Sequence, residues 1–241
     1  MSKRRILCCA VAAMLLGSFA FGQTDGGFAT ADKNASFQQL RQDAEQGDAD
    51  AQNKLGNCYE NGEGVEKDLK QAVYWYRKAA DQGNIQAQYN LGCCYASGQG
   101  VKGGVSQAAQ WFRKAAEQGN ADAQYKMGYL HKTGWGVEKD LNQAVYWYRK
   151  AANQGNAAAQ CNLGFCYESG DGVEKDQKQA VYWFRKAAEG EYIHAQFILG
   201  VCYYKGEGVE KDLNQAVYWV RKAANQGHAG AKKALERLNK N

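Results

Sequence analysis

The stretch GVEKDLKQAVYWYRKA, from Gly64 to Ala79, decides the fold, because the chain repeats it 72 residues later, from Gly136 to Ala151, with a single change. A fixed spacing of about 20–50 residues is the signature of stacked structural units. Rows of 36 residues align five full units and a truncated sixth at Ala224. The full units start at Ala44, Ala80, Ala116, Ala152 and Ala188.

Each unit, numbered here from 1 to 36, contains two segments with helical spacing. In helix A, alanine at position 8, leucine or methionine at 12 and mostly cysteine and tyrosine at 15 and 16 share one face. In helix B, alanines flank a recurring tryptophan. An aspartate such as Asp68 stands three residues before a glutamine, which predicts a capping box at the start of helix B. The pattern predicts two antiparallel helices that bury their apolar faces only by stacking.

Two recurring residues predict where the units pack. Glycine at position 13, first seen as Gly56, costs about 1 kcal/mol against alanine inside a helix. Its recurrence indicates that another backbone comes too close for a side chain. The tryptophan of helix B, for example Trp183, is predicted to lie in the core.

The two ends fit a capped array. Asp32 falls in the capping position of helix B, so residues 32–46 are expected to form a lone helix B. Residues 231–238 are expected to form a lone polar helix A, which keeps a solenoid from associating end to end. We therefore assign residues 32–241 to the repeat array and residues 23–31 to a flexible lead-in.

Residues 1–22 have the order of a secretory signal peptide. Three cations, Lys3 to Arg5, precede an apolar run from Ile6 to Phe21, and Ala20-Phe21-Gly22 is a small-x-small cleavage site. An uncleaved anchor is the alternative, but the run is shorter than the roughly 20 residues of a spanning helix. Cleavage lowers the formal charge from +5 to +2. We expect a periplasmic or secreted monomer that binds neither nucleic acid nor, after cleavage, a membrane.

At this point the residues resemble a known family. The run from Ala159 to Gly190 contains LGxxYxxGxGVxxDxxxAxxWxRKAA, with near copies in the other four units, and is similar to the Sel1-like repeat, a relative of the tetratricopeptide repeat. The resemblance covers about residues 32–238. It implies an all-α fold, an α/α superhelical solenoid, used as a non-catalytic scaffold or adaptor for protein partners, often in the bacterial envelope.

The binding surface is sought where the units differ. Positions 7, 10, 14 and 17 of helix A form one stripe, which changes from polar to aromatic along the chain. If helix A lines the inner face, the stripe offers aromatic anchors to a protein or peptide partner, since such residues concentrate binding energy in interfaces. The alternative for position 10 is packing against the neighbouring helix A. The predicted contact residues are Tyr89, Tyr125, Tyr129, Phe165, Phe197 and Val201.

Three departures from the pattern have two interpretations each. Trp135, in the loop after helix A of the third unit, is either an exposed contact or a cover for the next loop. Gly103-Gly104 removes the capping aspartate of the second unit, and Gly190-Glu191-Tyr192 replaces the usual Gln-Gly-Asn. These two changes are either bends in the superhelix or drift.

A second hypothesis assigns chemistry to the chain. Cysteine-rich Sel1-like proteins have been linked to penicillin binding and β-lactam hydrolysis. Here Cys58, Cys94, Cys166 and Cys202 occur once per unit, about 8–10 Å apart if the helices stack, which is too far for disulfides. No serine nucleophile motif of the Ser-x-x-Lys type is present, and the three histidines are scattered. We expect buried thiols, no metal, no cofactor and no enzyme activity.

Overall fold

The computed structural model describes residues 25–238, and their side-chain surroundings from residue 35 to 236. This part of the chain forms twelve helices and no strand. They are α1 (Asp25–Glu45), α2 (Ala49–Asn61), α3 (Leu69–Asp81), α4 (Ile85–Ser97), α5 (Val105–Glu117), α6 (Ala121–Thr133), α7 (Leu141–Asn153), α8 (Ala157–Ser169), α9 (Gln177–Glu189), α10 (Ile193–Lys205), α11 (Leu213–Asn225) and α12 (Ala229–Leu238). The expected signal peptide, with Cys8 and Cys9, lies outside the described residues.

Each helix packs against the next one along the chain, so the predicted α/α solenoid is confirmed. Even-numbered helices are helix A of a unit and odd-numbered helices are helix B. Most A helices begin at an Asp or Asn whose side chain accepts a backbone N–H, as Asn120 does from Ala123. Each of the five full A helices ends at a glycine in the left-handed region, for example Gly134. Local sequence therefore sets both ends of the unit.

The capping box at helix B is half confirmed. The Asp68 carboxylate accepts from the backbone N–H groups of Lys70 and Gln71, and Asp140, Asp176 and Asp212 make equivalent bonds. The glutamine amide is not needed, because the Asp68 N–H already donates to the Tyr59 carbonyl at 3.0 Å. Gly104 leaves α5 without a side-chain cap.

In the first four units the glycine at position 13 faces an aromatic side chain rather than the backbone that the sequence predicted, whereas a Cβ on Gly200 of the fifth unit would lie 2.6 Å from the Val220 side chain and 3.1 Å from the Ala216 carbonyl oxygen. A Cβ on Gly56 would lie 2.6 Å from the Tyr76 ring, and on Gly164 2.5 Å from the Phe184 ring. The ring belongs to helix B of the same unit, at position 33. Close backbone approach occurs instead at position 21, where a Cβ on Gly172 would lie 2.1 Å from the Leu141 carbonyl oxygen of the preceding unit.

Position 33, rather than the tryptophan, supplies the most deeply buried aromatic ring of helix B. Tyr76, Tyr148 and Phe184 are fully buried. Trp75, Trp147 and Trp219 are also buried, but Trp183 and Trp111 are only partly buried, so the prediction of a core Trp183 was too strong. The tryptophan packs back towards the preceding unit, and the ring at position 33 fills the space under the glycine of its own unit.

A buried glutamine ladder joins successive units. Gln124 Nε2 donates to the Ala116 carbonyl at 3.0 Å, and its Oε1 accepts from Gln154 of the next unit at 2.8 Å. Equivalent glutamine–glutamine bonds join other successive units. Gln160 has no such donor, because Gly190 stands where the other units have the donating glutamine. The fourth and fifth units therefore meet without this rung.

The first helix differs from its prediction. It extends back to Asp25, so it includes residues 25–31 of the expected lead-in, and Asp32 lies inside the helix rather than at its cap. No proline interrupts this stretch, and Ala29 and Ala31 are strong helix formers. At the other end α12 begins at Ala229, two residues earlier than expected.

Candidate binding groove

The placement of the A helices in the array is inferred from the contacts between successive units. Successive A helices touch: Asn90 of α4 donates to Asn53 of α2 at 3.1 Å, and α6 contacts α8. In a curved stack the helices that approach each other more closely line the concave face. We therefore assign positions 10, 14 and 17 of the A helices to an inner groove, and their role in binding stays a prediction.

At the first unit, the polar side chains that line the groove form hydrogen bonds with one another. The Tyr76 hydroxyl lies 2.7 Å from Asn57 Oδ1 and 2.6 Å from Glu60 Oε2. Asn90 of the next unit donates to Asn53 and, at 3.4 Å, to Asn57. Burial raises the pKa of Tyr76, and the hydrogen bond and charge of Glu60 raise it further. This end of the groove satisfies its own hydrogen bonds.

The predicted contact residues differ in exposure. Tyr129 at position 14 has 41% of its surface exposed. Phe165, the next residue along the groove at that position, is partly buried and meets Phe184 edge to face, with ring centroids 5.1 Å apart. Val201 is also partly buried. Position 14 thus presents one well-exposed tyrosine beside two partly covered apolar side chains.

Position 10 packs mainly within the solenoid. Tyr89 lies against Phe112 and Tyr125 against Tyr148, with centroids 5.8 and 6.1 Å apart. Phe197 stacks on His228 at 4.6 Å. Tyr89 and Tyr125 thus contact helix B of their own unit, and they also pack on clusters that include the next helix A, with Met127 and Leu163 respectively. Packing against the neighbouring helix A, the alternative interpretation, therefore accounts for part of their burial. Each ring keeps part of its surface exposed to the groove.

The Tyr148 hydroxyl has no hydrogen-bond partner among the described residues, although Tyr148 is fully buried. Burial raises the pKa of Tyr148, and Cys166, Tyr125 and Tyr129 contribute next. These neighbours place the hydroxyl beneath the aromatic part of the groove. The first unit has Asn57 and Glu60 at this point, whereas the third has Tyr129 and Lys132.

Tyr192 was missed as a groove residue by the sequence analysis. It replaces the usual asparagine before helix A, and α10 begins there without a side-chain cap. Burial raises the pKa of Tyr192, followed by the proximity of Cys161 and Tyr125. The replacement of Gln-Gly-Asn by Gly190-Glu191-Tyr192 was the available signal, and Glu191 is the one non-glycine residue with positive φ in the described part of the chain.

The cysteine side chains were the basis of the second hypothesis. The six described cysteines are reduced thiols, and burial raises the pKa of Cys94 and Cys161 to about 12 and of Cys202 to about 11. Cys58 and Cys93 are only partly buried. Among the residues whose side chains are described, no three His, Cys, Asp or Glu are placed to hold a metal ion.

Two exposed features lie outside the inner stripe. Trp135 has 56% of its surface exposed, which favours the contact interpretation over a loop cover.

An open cleft of about 630 Å³ separates the fifth unit from α12, lined in part by Tyr192, His194 and His228. No helix in the described range is long and apolar enough to cross a membrane.

Comparison with known proteins identifies the class. The Sel1 repeat family matches residues 49–84, 85–120, 121–156, 157–192 and 193–228, and the chain belongs to this family. The family boundaries keep the period of 36 and begin each repeat at helix A, five residues after the starts used above. Sel1 repeat proteins are generally scaffolds for protein interactions. A comparison with curated proteins returned no match.

Solved structures agree with this assignment. A Sel1 repeat protein from Oxalobacter formigenes is 39% identical, with a TM-score of 0.79 over 86% of this chain and 83% of that chain. The protein c5321, a protective antigen present in uropathogenic Escherichia coli strains, is also 39% identical, with a TM-score of 0.78. That match covers 84% of this chain but only 46% of c5321. A Sel1 repeat protein from Klebsiella pneumoniae, 24% identical with a TM-score of 0.52, shares the fold; the match covers 84% of this chain and 99% of that one.

Proposed function

We propose that this protein is an exported, non-catalytic scaffold that binds a protein or peptide partner in its inner groove. The family supports the scaffold role in general. The observation that carries the groove is Tyr129, which is 41% exposed among partly buried aromatic rings on the inner face. Aromatic anchors near the centre of an interface typically contribute more than about 2 kcal/mol of binding free energy.

The proposal divides the groove into two parts. At the first unit, Asn53 and Asn57 both accept from Asn90 of the next unit and leave few polar groups for a partner. At the third and fourth units, Tyr125, Tyr129 and Phe165 form an apolar surface without such a network. A partner gains most by covering the second part, because burying apolar area is the main favourable term in association.

Export is a separate part of the proposal. Its support is the order of residues 1–22, with Lys3 to Arg5, an apolar run and a small-residue cleavage site. A periplasmic or secreted location would place the groove in contact with envelope or extracellular proteins. Fractionation of cells that produce the full chain, with mass spectrometry of its N-terminus, tests this; a full-length N-terminus in the cytoplasm would refute it.

The groove is tested by capture of partners from envelope extracts on the immobilised protein. Tyr129→Ala should abolish specific capture and leave the melting temperature nearly unchanged, since Tyr129 is well exposed. The double variant Tyr129→Ala, Phe165→Ala should do the same to capture, with some loss of stability because Phe165 packs on Phe184.

The matched control is Tyr182→Ala on helix B. Tyr182 is 46% exposed, close to the value for Tyr129, but lies on α9 rather than on an inner helix. It should keep full capture. Capture that survives in the Tyr129 variant but is lost in the Tyr182 variant would move the working surface to the helix B face.

A further inference from the structure

We propose that the groove at the third repeat binds a carboxylate of the partner between the Tyr148 hydroxyl and the Lys132 ammonium group. The inference rests on the proposed function, in which the groove receives a peptide. It adds the chemistry of the group that is recognised: an Asp or Glu side chain, or a C-terminal carboxylate.

The first repeat shows this contact within the chain itself. Tyr76 occupies the position of Tyr148, and its hydroxyl lies 2.6 Å from the Glu60 carboxylate. Hydrogen bonds to an ionised acceptor are shorter and stronger than neutral ones. The buried phenol at position 33 is therefore suited to a carboxylate that reaches it from the groove side of helix A.

The third repeat keeps the phenol and lacks the carboxylate. Position 17 is Lys132 where the first repeat has Glu60, and position 14 is Tyr129 where it has Asn57. Tyr148 is 0% exposed, and its hydroxyl has no partner among the described residues. A buried hydroxyl without a hydrogen bond costs free energy. A ligand that supplies an acceptor here removes this cost, and the gain adds to its binding free energy.

The same position now carries a cation. Lys132 extends from the position at which Glu60 reaches Tyr76 in the first repeat. Burial raises the pKa of Cys161 and of Cys166, and the Lys132 charge acts in the opposite direction at both. The ion pairs of the described residues are Arg41–Glu45 and Lys205–Glu207, so Lys132 is not engaged in one. By equivalence with Glu60 and Tyr76, a cation that extends from position 17 and an unpartnered hydroxyl donor at position 33 together favour an anionic acceptor between them.

The surroundings restrict the anion. Glu168 also acts on the pKa of Cys161, so one acidic side chain already faces this part of the groove and disfavours a multiply charged ligand. Tyr129 is 41% exposed and acts on the pKa of Tyr148, so the proposal requires the ligand to reach the buried hydroxyl by displacing the Tyr129 side chain. The site therefore fits a single carboxylate carried on a chain that packs along Tyr125 and Phe165.

The first test needs no partner. Lys132→Glu installs at position 17 the residue that the first repeat has, so the new carboxylate should accept from Tyr148 and raise the melting temperature. Tyr148→Phe removes the hydroxyl and is compatible with the fold, because Phe112 and Phe184 occupy this position elsewhere. The gain from Lys132→Glu should vanish in the Tyr148→Phe background.

The control for this cycle is Lys54→Glu, which makes the same change of charge on an exposed lysine of α2. Any change in melting temperature that Lys54→Glu causes should be the same with Tyr148 and with Phe at that position. An equal gain from Lys132→Glu with and without the hydroxyl would overturn the proposed pairing.

The second test titrates the wild-type protein with the peptide amide Gly-Gly-Glu-Gly-Gly, followed by NMR. Saturable shifts are expected at Tyr129, Lys132 and Tyr148, at least about tenfold weaker for the Gln peptide, since the charge pair and hydrogen bond together are worth more than one decade of affinity. They should be absent in Lys132→Glu. A Gly pentapeptide with a free C-terminus asks whether a terminal carboxylate also binds. Absence of saturable shifts with both carboxylates, or equal shifts with the Gln peptide, would overturn the proposal.

The groove and the carboxylate site can be refuted independently of each other. If Tyr129→Ala abolishes partner capture while the Glu and Gln peptides behave alike, the groove stands and the carboxylate site is refuted. If the Glu peptide binds selectively while Tyr129→Ala retains full capture of the cellular partner, the site stands and the proposed function of the groove is refuted.

Discussion

The first and third repeats have nearly the same helix B but different groove chemistry. α3 and α7 differ at two of their thirteen residues, Lys70 against Asn142 and Asp81 against Asn153. Both bury a tyrosine completely at position 33. In the first repeat Asn57 and Glu60 satisfy its hydroxyl, whereas the third repeat presents Tyr129 and Lys132. The comparison separates the frame, which is set by helix B, from the recognition surface, which is set by helix A.

The comparison also shows that the frame does not require the Tyr148 hydroxyl. Phe112 and Phe184 fill the same position in the second and fourth repeats. An unsatisfied buried hydroxyl costs about 1–3 kcal/mol. The third repeat therefore carries an unfavourable polar group that a phenylalanine would avoid, which is the pattern expected where a ligand supplies the missing acceptor.

The largest predicted effect tests what the two repeats share. Tyr148→Ala and Tyr76→Ala should each lower the free energy of unfolding by about 3–5 kcal/mol, because each removes a fully buried ring and leaves a cavity under a glycine. Urea unfolding followed by circular dichroism measures both. Trp183→Ala should cost less than either, since that tryptophan is only partly buried.

An equal or larger loss for Trp183→Ala would contradict this assignment of the core. It would mean that the tryptophan face, as first predicted from the sequence, carries more of the packing energy than the ring at position 33. Exposed Tyr182 provides the control, because it loses only an edge-to-face contact with Trp183, so its change to alanine should cost no more than about 0.5–1.5 kcal/mol.

The next effect separates the two repeats. Tyr76→Phe should destabilise the protein by about 1.5–3 kcal/mol, because it breaks a hydrogen bond to the Glu60 carboxylate and leaves Asn57 with fewer partners. Tyr148→Phe should be neutral or stabilising, since no described hydrogen bond is lost. The same urea experiment compares them, with each variant serving as the other's control. Equal losses at the two sites would show that the Tyr148 hydroxyl is satisfied in solution.

The repeat length, the helix pair and the caps could be predicted from the sequence because each depends on local signals. Asp140 and Gly134 mark helix ends wherever they recur, so period and composition were sufficient. The identity of the buried ring was not predictable in this way. Trp147 and Tyr148 are adjacent and both aromatic, and only the interhelical geometry shows that Tyr148 lies under Gly128.

The groove was predictable in outline only. The variable stripe at positions 10 and 14 could be read from the sequence, and Tyr129 is exposed there. The unpartnered hydroxyl of Tyr148 could not be predicted, because its environment depends on Lys132 and Tyr129, which precede it by 16 and 19 residues. These two residues replace Glu60 and Asn57 of the first repeat. Tyr192 was missed for the same reason, since its neighbours Cys161 and Tyr125 belong to two other repeats.

The smallest predicted effect uses pH to separate the C-terminal cap from these internal repeats. The first and third repeats begin helix A with Asp48 and Asn120, whose side chains accept from the backbone. At α12 the cap is His228, whose Nδ1 accepts from the Ala231 N–H at 3.1 Å and must be unprotonated to do so. Burial lowers the pKa of His228, and the neighbouring His194 lowers it further.

The sign of the pH effect follows from that shift. Because the folded protein holds His228 with a pKa below its ordinary value of about 6.5, the unfolded chain binds the proton more readily. The stabilisation is complete above about pH 6.5 and is lost as the pH falls through the folded pKa. Losing a cap costs about 1 kcal/mol, so α12 should fray on acidification while the first and third repeats stay intact. Hydrogen exchange at Ala231 against Ala51 and Ala123 measures this. His228→Asn restores the asparagine used at Asn84, Asn120 and Asn156, so it should remove the pH dependence at Ala231; exchange there that still accelerates in acid would show that His194 or another group controls the end of the solenoid.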